Sequence, residues 1–105
     1  MSIVRRADHV GISVTSLEAA LRFWTEALGA TLLRTVTMDG PFLAEVTGAQ
    51  GASLRGAVIE VTGQTIELLE YASAPPRRGP PAAPFDSGTL HLALIVDDLD
   101  ALLAA

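Results

Sequence analysis

One unit of this chain is written twice. Residues 8–23 read DHVGISVTSLEAALRF, and residues 90–105 read LHLALIVDDLDALLAA. Set side by side at a constant offset, His9 falls on His91, Val14 on Val96, Leu17 on Leu99 and Ala19 on Ala101. Most remaining positions oppose apolar to apolar or polar to polar. Each copy reads as a strand opened by a histidine and continued by an amphipathic helix. A duplicated strand–helix unit restricts the fold to arrangements in which both copies find equivalent surroundings. It is also a means of bringing two imidazoles to one site, which points to a metal centre.

Length and composition narrow the remaining possibilities. At 105 residues the chain holds one domain at most. Half of its residues are apolar, enough for a core. No apolar run approaches the ~18 residues of a membrane span. MSIVRRADHV carries neither a long apolar stretch nor a signal cleavage site, so a cytoplasmic protein is expected. There is no cysteine, which excludes disulfides, thiolate metal sites and thiol nucleophiles and leaves His, Asp and Glu as metal ligands. With a net charge of −5 and no basic cluster beyond Arg5-Arg6 and Arg77-Arg78, nucleic acid is not an expected partner. All seven basic residues are arginine, so Schiff-base chemistry on lysine is excluded.

Along the chain, residues 7–14 alternate as a strand, with Val10, Ile12 and Val14 on one face and His9, Gly11 and Ser13 on the other. Thr15 and Glu18 read as a capping box, and Leu17, Leu21, Trp24 and Leu28 recur at helical spacing. Gly29 is placed to stop that helix, with Phe23 and Trp24 read as helix core. Residues 31–38 read as a second strand. Residues 39–53 are rich in glycine and proline, with a short strand suggested around Phe42–Val46. Residues 54–61 and 64–71 read as strands joined at Thr62-Gly63 as a hairpin. Residues 72–88, with five prolines, are a linker or a loop over a site. The strand then restarts at 89–96 and the helix at 97–105, with Asp97-Asp98 capping it.

Alternation decides which side chains can meet. His9 and His91 lie opposite the apolar residues of their strands, beside small neighbours: Gly11 and Ser13 in one copy, Ala93 in the other. Small neighbours leave room for a ligand. In residues 65–71, Glu67 shares a face with Thr65, Leu69 and Tyr71, whereas Glu70 shares the other with Ile66 and Leu68. Only one of these carboxylates can point into the cavity, and alternation alone does not choose between them. Tyr71 either lines the pocket mouth or ends its strand. Arg77-Arg78 is either a solvated pair or, if the loop folds over the site, a contact for an anionic substrate. Two neutral imidazoles and a carboxylate suit a single divalent ion of zinc, iron, nickel, manganese or cobalt.

The strings DHVGISVTSLEAALRFWTEALG, GQTIELLEY and HLALIVDDLDALL resemble the vicinal oxygen chelate superfamily of glyoxalase I, methylmalonyl-CoA epimerase, extradiol dioxygenases and bleomycin or fosfomycin resistance proteins. The resemblance covers nearly the whole chain and is greatest to the glyoxalase- and epimerase-like members. It implies an α+β fold of paired βαβββ modules forming a cupped mixed sheet around one divalent metal. Residues 1–71 would form the first module, 72–88 the Pro-rich loop, and 89–105 an incomplete start of the second. By this resemblance His9, Glu67 and His91 are the metal ligands. The fourth ligand and the general base fall where the family's last strand lies, which this sequence does not contain.

The function implied is that of a lyase or isomerase, with the metal binding substrate oxygens and stabilising an enediolate during proton transfer on a small carbonyl compound. Two alternatives share the fold: a metal-free protein that binds and sequesters a drug-like molecule, and a non-haem iron ring-cleaving dioxygenase. The family's resistance binders generally lack the ligand histidines, which argues against the first. An open cup leaves a bare sheet edge, so a homodimer is expected, with a small-molecule substrate as its other partner.

Overall fold

The computed structural model describes residues 2–75 and 80–105. The chain divides into two compact units, Met1–Pro75 and Pro76–Ala105. The first is built outward from a hairpin. Strands β3 (Ser53–Val61) and β4 (Gln64–Ala72) pair antiparallel, from Val61 against Gln64 to Ser53 against Ala72. Thr62 and Gly63 both have positive φ, 49° and 82°. Two central residues of that kind give the turn whose twist matches that of the strands it joins. Strand β2 (Thr31–Asp39) adds antiparallel to β3, with an irregularity between Leu32 and Arg34. Strand β1 (Val10–Ser13) adds parallel to β4, completing a four-stranded mixed sheet of order β1-β4-β3-β2. The first unit is therefore the βαβββ arrangement expected from the sequence.

A parallel pair needs a crossover, and a helix supplies it. Helix α1 (Leu17–Arg22) continues into a π-helical turn, Phe23–Ala27, and ends at Gly29 with φ +72°. One sheet face packs against this segment. Ala57, Ile59, Val61, Ile66 and Leu68 are buried with Leu17, and Ile12, Val14, Leu21 and Trp24 pack around them. Ile59, Ile66 and Leu68 are wholly buried. Each such side chain contributes about 1.5–3 kcal/mol relative to an exposed one.

Several expectations are corrected. The N-cap of α1 is Ser16, not Thr15: the Ser16 hydroxyl accepts from Ala19 N at 3.2 Å. Glu18 closes no capping box, because it turns to Arg55. Phe23 is not core. It is 54% exposed and meets Trp24 edge-on at 6.1 Å, since it lies off the Leu17–Leu21–Trp24 stripe that faces the sheet. The suggested strand at Phe42–Val46 is helix α2 (Pro41–Thr47). Pro41 sits in its first turn, where its missing N–H costs nothing, and left-handed Gly48 closes it.

In the second unit, residues 89–96 form no strand, and helix α3 (Leu99–Ala104) is the one regular element among the described residues. A strand exists by pairing, and residues 89–96 have no ladder partner among the described residues. Asp98 does cap α3, accepting from Ala101 N at 2.9 Å. Arg77 and Arg78 lie outside the described residues. Among the described residues, no helix is long and apolar enough to cross a membrane.

Candidate metal-binding face

The register of the sheet sorts the candidate residues. Gly11 of β1 stands opposite Glu67 of β4, and Val10 opposite Ile66. Parallel partners project to the same side. Ile66 lies in the helix-packed core, so Glu67 projects from the other face of the sheet. His9 directly precedes β1, outside the paired strand and two residues before Gly11, the partner of Glu67. The first unit thus puts Glu67 on the face of β4 away from the helix, with His9 just ahead of the adjacent strand. Glu67 is half-buried, and the His9 side chain is 43% exposed.

Glu70 occupies the opposite face and is fully engaged there. Its Oε2 accepts the Leu17 amide at 2.8 Å, and its Oε1 accepts from Arg55 Nη2 at 2.7 Å. Arg55 also meets Glu18 at 2.9 Å, so one guanidinium joins β3, β4 and α1. The Leu17 amide, then Arg55, hold the Glu70 carboxyl below its ordinary range. Arg55 does the same for Glu18. Of the two carboxylates, Glu70 is committed to the helix and Arg55, and Glu67 lies on the other face.

The space beside His9 is less open than the small residues implied. A Cβ built on Gly11 would lie 3.4 Å from Leu69 Cδ1. One built on Gly56 would lie 3.4 Å from Leu69 Cδ2 and 2.7 Å from Val36 Cγ2. Leu69 therefore lies between two glycines of the flanking strands, and the glycines accommodate it. Tyr71, on the same face, lines a cavity of about 420 Å³ with Thr47, Gly48 and Pro75.

His9 has a partner that the sequence reading missed. Its Nδ1 lies 2.8 Å from Asp8 Oδ2, and Arg6 Nη1 donates to Asp8 Oδ1 at 3.0 Å. The hydrogen bond with His9, then Arg6, keep the Asp8 carboxyl below its ordinary range. With Nδ1 engaged, Nε2 is the nitrogen left to ligate, as is usual for metal-binding histidines. An imidazole with one nitrogen bound to a carboxylate and a half-buried carboxylate on the neighbouring strand suit a divalent ion in kind. His91 lies in the second unit, exposed and in unpaired backbone. Among the described residues, no group of three or more His, Cys, Asp or Glu side chains converges as a metal site.

The sheet order fits a known class. The chain belongs to the Glyoxalase/Bleomycin resistance protein/Dioxygenase superfamily, whose sequence profile matches residues 6–105. Among its relatives, a 2-epi-5-epi-valiolone epimerase from an Actinomyces species is 36% identical over 97 residues, covering 89% of this chain and 52% of that protein. The chain thus spans about half the length of that curated relative. Among solved structures, a glyoxalase family protein from Bacillus cereus matches with a TM-score of 0.78 at 26% identity, over 98% of this chain and 70% of that one.

Proposed function

We propose that this chain acts as an isomerase of the epimerase or glyoxalase type, moving a proton on a small carbonyl compound with the help of one divalent metal ion. The observation that supports the reading is the identity of 36% to a named epimerase, in a chain whose β1–β4 register sets Glu67 opposite Gly11, two residues after His9. In the first unit, His9 and Glu67 are the residues that would hold the ion. When bound, it supplies Lewis acidity, drawing electron density from substrate oxygens so that the C–H beside the carbonyl gives up its proton more readily.

The protein's own groups set the conditions. His9 has Nδ1 committed to Asp8. Leu69, lying between Gly11 and Gly56, presents an apolar side chain on the same face and limits water there. A second copy of the chain is the partner that completes the cup, since β1 and β2 are both sheet edges and bare edges are normally covered.

The test uses the purified chain and its His9→Ala/His91→Ala double variant. Wild type is expected to retain about one equivalent of divalent metal. It is also expected to exchange the proton beside the carbonyl with solvent deuterium, followed by NMR on 2-epi-5-epi-valiolone and on simple hydroxyketones. Equal metal content in wild type and double variant overturns the reading. Light scattering is expected to give twice the chain mass of 11.0 kDa. A monomer refutes the dimer.

A further inference from the structure

We infer that Asp8 is a positioning residue for His9, fixing its imidazole as the Nδ1–H tautomer and so reserving Nε2 for ligation. The use assigned to that nitrogen rests on the metal-binding reading above; the tautomer itself does not. The geometry is a short relay: Arg6 Nη1 to Asp8 Oδ1 at 3.0 Å, and Asp8 Oδ2 to His9 Nδ1 at 2.8 Å. Each carboxylate oxygen has its own cation or N–H partner, so the carboxylate is held from both ends. Among the described residues His9 makes no other side-chain hydrogen bond, and Nε2 is free.

A carboxylate accepts but cannot donate when ionised, so the 2.8 Å contact requires the hydrogen to sit on Nδ1. Without such a partner a neutral imidazole populates both tautomers, and the fraction carrying hydrogen on Nε2 cannot bind a metal through that atom. Asp8 removes that fraction and restricts rotation of the ring. Arg6 holds the other oxygen of Asp8 and so keeps the carboxylate aimed. The second histidine has no matching neighbour, because Leu90 stands before His91 where Asp8 stands before His9. The two histidines of the repeat are therefore chemically unequal.

That inequality supplies the control. The chain has only two histidines, so a His91→Ala variant assigns both ring signals in a ¹⁵N-labelled sample. In metal-free protein above pH 8, two-bond ¹H–¹⁵N spectra are expected to show His9 as the Nδ1–H tautomer. Asp8→Leu should turn it into a mixture, and Asp8→Asn, which keeps an acceptor oxygen, should largely restore it. Zn²⁺ affinity, measured by competition with a chromophoric chelator, should fall about 10–100-fold in Asp8→Leu and less in Asp8→Asn. An unchanged His9 tautomer in Asp8→Leu overturns the inference. So does unchanged Zn²⁺ affinity in Asp8→Leu when His9→Ala abolishes binding. If the tautomer responds as expected while His9→Ala leaves Zn²⁺ binding intact, the positioning stands and the metal reading fails.

Discussion

Gly56→Ala sets two opposing effects of known size against each other. Replacing a strand glycine by alanine reduces the freedom of the unfolded chain, a gain of about 0.4–1 kcal/mol where the native backbone tolerates it. Gly56 has no positive φ, so the backbone itself raises no objection. The side chain does. Its Cβ would stand 2.7 Å from Val36 Cγ2, inside van der Waals contact, with Leu68 O at 3.3 Å behind it. Val36 pairs directly with Gly56 in the ladder, and its branched side chain has little rotamer choice. Overpacking of this kind costs about 1–3 kcal/mol. The net expectation is destabilisation by about 1.3 kcal/mol, the difference between the midpoints of ranges that together span about 0–2.6 kcal/mol. In a domain of this size each kilocalorie lowers Tm by roughly 4–8 °C, which scanning calorimetry resolves. The clash is assigned to one methyl group, so Val36→Ala should remove most of it. In that background Gly56→Ala should become nearly neutral, a coupling of about 1 kcal/mol or more. Equal destabilisation in both backgrounds, or a rise in Tm in the wild type, would refute the argument.

Three further outcomes follow from single contacts. Glu70→Gln should lower the urea midpoint at pH 7, because it weakens the bonds to Leu17 N and Arg55. The folded-state pKa of Glu70 is depressed, so its contribution is complete above the ordinary value of 4.5 and is lost as pH falls through the lower folded value. The gap between wild type and variant should therefore close on acidification; parallel curves from pH 7 to 3 would contradict it. Thr62→Asn should raise Tm by a few degrees: Thr62 holds φ 49°, a region that costs most residues about 1–2 kcal/mol but that asparagine visits readily. A lower Tm would show that the Thr62 hydroxyl bond to Val61 O matters more. Zn²⁺ at a hundred times its Kd should stabilise the protein by about 2.7 kcal/mol, reversibly with EDTA and not in His9→Ala. No shift in wild type removes the metal from the proposed mechanism.

What could be read from the sequence was local. The β3–β4 hairpin was legible because Thr62-Gly63 interrupts two alternating runs, and turn and strands are specified within a few residues. Helix α2 carried its own signals, Pro41 at the start and Gly48 at the end, but the surrounding glycines also fit a loop. Residues 89–96 have a strand pattern and form no strand, because side-chain alternation prepares a segment for a partner and does not provide one. The parallel pairing of β1 with β4 spans more than fifty residues, so no local pattern encodes it, and the resemblance implied a mixed sheet without naming that pair.

The candidate site separates along the same line. Period-two alternation put Glu67 and Glu70 on opposite faces, and that holds. It could not say which face the helix covers, and this decides which carboxylate is free. The answer lies in contacts to residues far away in sequence, Leu17 and Arg55, that engage Glu70. The same rule concealed Asp8. Neighbours in a strand point to opposite sides, so alternation argues against a bond between Asp8 and His9. Both residues, however, precede β1, which begins at Val10, and ahead of the first ladder bond no pleat forces them apart. A histidine at the threshold of a strand is thus free to bond its neighbour. The sequence shows such a position as a histidine one residue ahead of the first paired strand residue, but only the ladder fixes where that residue is.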